Sequence, residues 1–231
     1  KLFNENNFSI YWNRTYEPSY LKFDEYLSKN FQKNNIHFKI SKGNILNEHQ
    51  DVKKKDGTPF KVFTPFWRIA ENFYLEKIPT KQSKILKCKN KITYFKKTLK
   101  ETEIYPQKKW YQKFEKYWSP SEKVALSELK SFLNKRVESY SDARNFPSIL
   151  GTSKLSPYIK HGQIHVETIW EECSKIKKKG IDKFLSEIGW REFNHSLINY
   201  FQYMLKGNYS KKFDKFPWEK NSKYLSAWQK G

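Results

Sequence analysis

Hydrophobic and polar positions in the first forty or so residues follow the order strand, helix, strand. Residues 8–13 (Phe-Ser-Ile-Tyr-Trp-Asn) have the two-residue period of a strand, and residues 20–31 place apolar side chains at helical spacing. Residues 37–40 (His-Phe-Lys-Ile) form a second short strand before a turn at Gly43. Two strands joined by a helix predict parallel pairing within an α/β layer.

The next segments are predicted from loop and helix-start signals. Residues 50–59 are charged and read as a loop, and Pro65 is placed in the first turn of a helix that continues to Leu75. The lysine-rich residues 76–109 have neither the strand nor the helix period. We interpret them as part of a connector between two domains.

Every strong periodic segment after residue 118 is helical. The pattern predicts helices over residues 124–137, over two short pieces within 157–175, from 181 to about 205, and from 223 onward. No strand pattern returns. The sequence therefore predicts an α/β domain followed by an all-α domain, with three segments in chain order: 1–75 (α/β), 76–112 (connector) and 113–231 (helical).

Polar and aromatic side chains converge on one face of the long helix that begins at residue 181. Glu187, Trp190, Arg191 and Asn194 recur at helical spacing. Phe193, Leu197 and Phe201 step by four along a neighbouring apolar stripe, which is expected to anchor the helix in the core. A carboxylate, an indole, a guanidinium and an amide on one face are unusual for a helix that only packs.

Hydroxyl side chains cluster ahead of a predicted short helix. Residues 151–158 read Gly-Thr-Ser-Lys-Leu-Ser-Pro-Tyr, with Ser156 placed to cap the helix and Pro157 at its first position. Hydroxyl groups and free backbone N–H groups at a helix start can bind an anion such as phosphate. Taken alone, the pattern favours the simpler alternative, which is an ordinary serine cap.

Charge is the strongest compositional signal. The 231 residues include 45 Lys and Arg against 24 Asp and Glu, a net charge of +21, and 18% of the residues are aromatic. This surplus favours a polyanionic partner, nucleic acid first, although a general preference for surface lysine would produce it too.

Cys88 and Cys173 have no partner motif and fit a reducing, cytoplasmic location. No run of about 18 apolar residues is present, so no membrane span is expected.

The order of several motifs resembles that of one known family. Tyr140 is followed by residues 144–147 (Arg-Asn-Phe-Pro), by the hydroxyl stretch and by residues 187–193 (Glu-Ile-Gly-Trp-Arg-Glu-Phe). Together these motifs resemble the photolyase/cryptochrome family, most closely its bacterial members that act on cyclobutane pyrimidine dimers. The resemblance extends over four further segments: 11–18, 61–67, 216–218 and 227–231.

The resemblance implies a flavoenzyme, a carbon–carbon lyase that splits pyrimidine dimers in UV-damaged DNA by light-driven electron transfer from FAD. The α/β part would belong to a Rossmann-like antenna domain and the helical part to an FAD-binding domain, both incomplete. A second antenna chromophore of folate or deazaflavin type would be unidentified, since Ser19-Tyr20 lacks the Asn-Glu pair of folate-binding relatives. The protein would act as a cytoplasmic monomer, without a membrane or a metal.

The resemblance also assigns roles to individual residues. Flavin contacts are expected from six positions: Tyr140, Thr152, Ser153, Leu155, Ser156 and Phe184. Glu187 and Trp190 would act in catalysis by contacting the flipped-out dimer. DNA contacts are expected from five positions: Arg144, Glu187, Trp190, Arg191 and Asn194.

Two departures from the family pattern affect these expectations. Lys154 stands where the family usually has arginine, and the sequence ends where family members continue, so the chain as given is expected to be inactive alone. Two alternatives remain: a cryptochrome-type photoreceptor with the same flavin fold, and a flavin-free basic DNA-binding module. The repair interpretation requires that Thr152 and Ser156 border the same hollow as Glu187 and Trp190.

Overall fold

A β-α-β unit forms the start of the chain. The computed structural model describes residues 9–75 and 108–231. Strands β1 (Ser9–Asn13) and β2 (His37–Ser41) pair in parallel, from Ser9 opposite His37 to Asn13 opposite Ser41, and helix α1 (Pro18–Lys33) connects them. The predicted strand, helix and strand and their parallel pairing are confirmed.

Trp12 fixes α1 on the two strands. Its ring lies 6.0 Å from that of Phe31 in α1 and 5.6 Å from that of Phe38 in β2, while its indole N–H donates to Asp24 at 2.9 Å. Aromatic packing and one satisfied polar group thus act on the same half-buried side chain. The helix can end immediately before β2 because Asn35 adopts the left-handed backbone region, with φ of 54°.

A turn and a second helix follow the β-α-β unit. In the predicted loop, the Asp56 carboxylate accepts a hydrogen bond from the Thr58 backbone at 2.9 Å, and Gly57 has a φ of 77°. Helix α2 spans Phe63–Leu75, as predicted. Residues 76–107, on which most of the predicted connector falls, lie outside the described residues.

All regular elements between residues 108 and 231 are helical, as predicted. They are α3 (Glu122–Lys135), α4 (Tyr140–Ala143), α5 (Ser156–Lys160), α6 (Val166–Ser174), α7 (Ile181–Tyr200) and α8 (Ser222–Lys230). Short 3-10 turns occur at Trp110–Phe114, Val137–Ser139, Gln202–Leu205 and Lys211–Lys215. None of the helices in residues 9–75 and 108–231 has both the length and the apolar character that a membrane crossing requires.

Two helix-boundary predictions were wrong. Helix α7 ends at Tyr200, and Phe201 has a non-helical backbone with φ of −123° and ψ of 54°. The Phe201 ring packs instead against Tyr209, 5.6 Å away. Ser156 does not cap α5: the helix begins at Ser156, and the preceding, buried Leu155 occupies the cap position without a side-chain hydrogen bond.

The chain divides into two compact units that each combine distant segments. The first contains Lys1–Gly43, Glu48–Trp67 and Trp190–Gly231, and the second contains Asn44–Asn47 and Arg68–Gly189. The boundary crosses α7 between Gly189 and Trp190. These units group residues that contact one another, whereas the predicted boundaries at residues 75 and 113 follow chain order and stay a prediction.

Asn44 ties its short segment into the second unit. Its side-chain amide donates to the carbonyl groups of Ile159 at 2.8 Å and Ile164 at 3.2 Å, and its side-chain oxygen accepts from the Val166 backbone at 2.9 Å. These bonds fix the segment that links α5 and α6. The core of this unit includes Leu129 and Phe132 of α3, both fully buried.

Candidate functional site

Gly151 brings the hydroxyl stretch next to α4 in the second unit. A Cβ atom at this position would lie 2.3 Å from the Ala143 carbonyl oxygen and 2.8 Å from the Ala143 Cβ, so only glycine allows the approach. Residues 151–156 therefore start beside the helix that carries Tyr140. Gly151 is part of the sequence motif, but the motif alone did not predict that this glycine would pack against the backbone of Ala143.

In residues 151–156, polar side chains are exposed to solvent and one apolar side chain, Leu155, is buried. Thr152 and Ser156 are exposed, and Leu155 is only 1% exposed. The Ser153 hydroxyl accepts a hydrogen bond from the Leu155 backbone at 3.4 Å. Lys154 between them has a φ of 55°, a left-handed conformation that costs a non-glycine residue about 1–2 kcal/mol. The outward hydroxyl groups can meet an anionic ligand.

Tyr140 and Phe184, two of the predicted flavin contacts, meet in one aromatic cluster. Their ring centroids are 5.5 Å apart at 86°, and Phe132 lies 5.4 Å from Tyr140 and 4.7 Å from Phe184. Tyr140 is 7% exposed, and its burial raises the pKa of its phenol. The phenol therefore stays protonated at neutral pH and keeps its hydrogen-bond donor.

Arg144 and Glu187 form an ion pair beside this cluster. Lys183, one turn before Glu187 on α7, adds a second contact at 3.0 Å between its Nζ and the carboxylate. The Arg144 guanidinium carbon also lies 5.7 Å from the centre of the Tyr140 ring. Burial raises the pKa of Glu187, but hydrogen bonds from Arg144 and Lys183 outweigh it and hold the pKa below its ordinary value. Glu187 is thus an ionised carboxylate at neutral pH.

Sequence reasoning found two of these three charged residues. Arg144 and Glu187 were predicted as separate DNA contacts, and their direct pairing was not foreseen. Lys183 was missed altogether. Its position four residues before Glu187 in a helix is the signal that could have found it, because side chains at this spacing meet.

In the first unit, Trp190 stacks on Phe63. The two ring centroids are 3.8 Å apart with an angle of 12° between the planes, and Phe193 meets Trp190 at 5.9 Å with an angle of 74°. Trp190 nevertheless remains 40% exposed. One aromatic surface is therefore covered, and part of the ring is open to a ligand.

Arg191 and Asn194, the other predicted DNA contacts on α7, differ in their surroundings. The Arg191 guanidinium pairs with Glu192 at 2.9 Å, and Glu192 is 3% exposed. Burial lowers the pKa of Arg191, and the Glu192 carboxylate opposes this effect. Asn194 is exposed. Both DNA roles stay predictions, as does the hollow expected to join Thr152 and Ser156 to Glu187 and Trp190.

His165 has a structural role at the start of α6. Its side chain accepts a hydrogen bond from the Glu167 backbone at 3.2 Å and so caps the helix. No group of three or more His, Cys, Asp or Glu side chains suited to a metal ion occurs in the part of the chain that the structure describes.

Comparison with known proteins shows which proteins the chain is similar to. The model of the DNA photolyase family matches residues 2–83. A deoxyribodipyrimidine photo-lyase of Agrobacterium fabrum is 29% identical over 228 residues, which are 96% of this chain and 47% of that protein. The crystal structure of a class III photolyase from Agrobacterium tumefaciens superposes with a TM-score of 0.77 at 27% identity and covers 95% of this chain. Over almost its whole length, the chain is similar to members of the photolyase/cryptochrome family.

A cryptochrome is also similar to the chain. Cryptochrome-2 of Arabidopsis thaliana is 23% identical over 240 residues, which are 96% of this chain and 39% of that protein. The chain spans about half the length of the bacterial photolyases it matches, 47% of the Agrobacterium fabrum protein and 46% of the solved class III photolyase. The resemblance inferred from the motif order is confirmed at the level of the family.

Proposed function

We propose that this chain serves in a deoxyribodipyrimidine photo-lyase, which repairs cyclobutane pyrimidine dimers in DNA by light-driven electron transfer from reduced FAD. The observation that carries the proposal is the arrangement around α4. This helix and the residue after it bring Tyr140 and Arg144 together with Glu187, and Gly151 holds the hydroxyl stretch against the same helix. Groups suited to a flavin and to a nucleobase thus lie in one compact unit.

The residues of the second unit fit the phosphate-bearing part of FAD. The exposed hydroxyl groups of Thr152 and Ser156 would donate to phosphate oxygens, while Ser153 and the buried Leu155 hold the shape of the turn. The protonated phenol of Tyr140 would supply another donor, with Phe184 as its apolar neighbour. FAD, when bound, supplies the light absorption and the electron that no side chain provides.

The charged cluster fits a damaged nucleobase. The Glu187 carboxylate, kept ionised by Arg144 and Lys183, would accept the imide N–H of a pyrimidine and remain in place as charge develops on the ring. The exposed part of the Trp190 indole would stack on the base once it has left the duplex. The excess of lysine and arginine would attract the DNA phosphates in a salt-dependent manner.

A second function is supported by the cryptochrome among the relatives. A photoreceptor would use the same flavin site without a need for a dimer contact at Glu187 and Trp190. For both functions we also propose a second, antenna chromophore of folate or deazaflavin type.

Purification of the product of the complete gene tests these functions. Flavin absorbance together with light-dependent loss of thymine dimers from irradiated DNA supports repair. Bound flavin without repair supports the photoreceptor, and a protein without flavin that still binds DNA contradicts both and leaves a basic DNA-binding module.

Variants of the same protein test the two catalytic residues. Glu187→Ala should lower repair per absorbed photon more than it lowers binding to damaged DNA, whereas Glu122→Ala, at the exposed start of α3, should leave both unchanged. Trp190→Ala should weaken the preference for damaged over intact DNA and leave the flavin content unchanged. An unchanged quantum yield in Glu187→Ala would exclude the carboxylate from the mechanism.

A further inference from the structure

We infer that Phe63 is a positioning residue that holds the Trp190 indole flat and leaves one of its faces to the DNA base. This inference rests on the proposed function and extends it to a residue on another helix. Phe63 is the first residue of α2, and Trp190 belongs to α7. Both residues lie in the first compact unit.

The contact between the two rings is a face-to-face stack. Their centroids are 3.8 Å apart and their planes differ by 12°, which is closer and more nearly parallel than the usual edge-to-face contact between aromatic rings. A stack of this kind covers one face of the indole. Trp190 is still 40% exposed, so part of the residue remains accessible to a ligand.

Phe63 is itself held by aromatic neighbours. Trp67, one turn later on α2, lies 5.9 Å away at 15°, and Phe193 meets Phe63 at 5.9 Å and 65°. Phe193 in turn contacts Phe66 at 5.2 Å, and both of these rings are buried. The support behind Trp190 is thus anchored in the core rather than in a mobile side chain.

This arrangement limits how a base can meet Trp190. A tryptophan without a backing ring can rotate, and a ligand that stacks on it must order the side chain. Trp190 is already held by the stack on Phe63 and remains partly exposed, so an extruded pyrimidine dimer would meet a fixed surface. Phe63 would contribute to the preference for damaged DNA without touching the DNA.

Three variants of the full-length holoprotein separate this role from simple packing. Phe63→Leu keeps an apolar side chain and removes the stacked ring, while Phe63→Tyr keeps the ring. Phe66→Leu is the matched control, because its ring meets Phe193 and Phe60 in the same aromatic core. Each protein is labelled with 5-fluorotryptophan, and Trp190→Phe identifies the Trp190 signal in the ¹⁹F NMR spectrum.

Two quantities are measured in the dark: the Trp190 chemical shift, and the ratio of the affinities for dimer-containing and intact DNA. Phe63→Leu should move the Trp190 signal and lower the ratio about two- to tenfold, as expected for the loss of one aromatic stack. Phe63→Tyr should preserve both quantities. Phe66→Leu should change them less than Phe63→Leu does, because Phe66 reaches this cluster through Phe193. The Trp67 signal is also expected to move in Phe63→Leu, because Trp67 contacts Phe63. Unchanged signals from the remaining tryptophans show that a variant is folded.

The outcomes separate the inference from the proposed function. If the Trp190 signal does not move in Phe63→Leu, Phe63 does not orient the indole. If the signal moves but the ratio of affinities for dimer-containing and intact DNA is unchanged, Phe63 has no role in the preference for damaged DNA. If this affinity ratio falls as much in Phe66→Leu as in Phe63→Leu, the effect comes from general packing of the aromatic core. A wild-type protein that binds both DNAs equally contradicts the proposed function, and the NMR signal still decides whether Phe63 orients Trp190.

Discussion

The guanidinium of Arg144 and the carboxylate of Glu187 form an ion pair in which each side chain is about one-quarter exposed. Arg144 directly follows α4, and Glu187 lies in the middle of α7. Lys183 contacts the same carboxylate. The three side chains therefore act as one cluster with two cations and one anion, which keeps Glu187 ionised and still attracts phosphate.

Loss of Arg144 should reduce stability in a pH-dependent way. Because pairing lowers the pKa of Glu187, the pair stabilises the fold above the ordinary glutamate pKa, and the stabilisation is lost as the pH falls through the lowered value. Arg144→Ala should therefore lower the free energy of unfolding by about 1 kcal/mol at neutral pH and by much less at acidic pH. Urea unfolding at pH 7 and pH 3 measures both values.

Two further variants control this prediction. In a Glu187→Gln background, Arg144→Ala should show no pH-dependent loss, because the titrating partner is absent. Lys183→Ala should cost about 0.3 kcal/mol, since Lys183 is more exposed than Arg144 and pairs within one helix. Equal losses at pH 7 and pH 3 in the wild-type background would show that the pairing with Glu187 is not the cause.

Gly151→Ala should destabilise the second unit. Its new methyl group would overlap the Ala143 carbonyl oxygen, and overpacking of this kind costs roughly 1–3 kcal/mol. Gly207→Ala is the matched control, because a Cβ there would meet only the Tyr203 carbonyl oxygen at an ordinary 3.7 Å. Thermal unfolding of both variants should show a lower midpoint for Gly151→Ala alone. A similar midpoint for the two variants would contradict the close approach.

His49 should make the fold less stable in mild acid. Its burial, with a smaller contribution from the Arg14 charge, lowers the pKa from 6.5 to about 4. Between these two values the unfolded chain binds the proton and the folded chain does not, so stability falls as the pH drops from 6.5 towards 4. The maximum slope for one proton is about 1.4 kcal/mol per pH unit.

Replacement of His49 isolates this effect. In His49→Gln, the slope of unfolding free energy against pH between 6.5 and 4.5 should decrease, even if the variant is less stable at pH 7. Unfolding titrations at several pH values give the slope. The same slope in both proteins would mean that His49 is protonated to the same extent in the folded and unfolded states.

Lys154 should be replaceable by glycine with a gain in stability. Its left-handed backbone is unfavourable for lysine and allowed for glycine, so Lys154→Gly should add up to about 1 kcal/mol after the entropy of glycine is counted. Lys130→Gly, at an exposed position within α3, should instead cost about 1 kcal/mol. Chemical denaturation measures the free energy of unfolding of both variants. A lower value than wild type for Lys154→Gly as well as for Lys130→Gly would contradict the backbone strain at Lys154.

Local sequence period was sufficient for most of the regular elements. The alternation before Asn13 and after Ile36 identified β1 and β2, and the helical spacing identified α1 and α3. The order of motifs also indicated the similarity to photolyases that the comparisons found. These features could be predicted because each depends on residues that are close in the chain or on the spacing between short segments.

The sequence also determined which candidate groups share α7. Glu187, Trp190 and Asn194 were assigned to one face from the 3.6-residue period alone, and in the structure each is more exposed than the buried Ile188 and Phe193 between them. Their chemical roles stay predictions, because helical spacing brings side chains together without showing what they bind.

Only the tertiary structure decided which distant residues meet. The Arg144 pair with Glu187, the approach of Gly151 to Ala143 and the stack of Phe63 on Trp190 join segments that are far apart in the chain. Tertiary packing also set two helix ends against local preference, at Phe201 and at Leu155. The physical reason is that burial selects the backbone conformation with the most favourable long-range contacts, and local periodicity carries no information about those contacts.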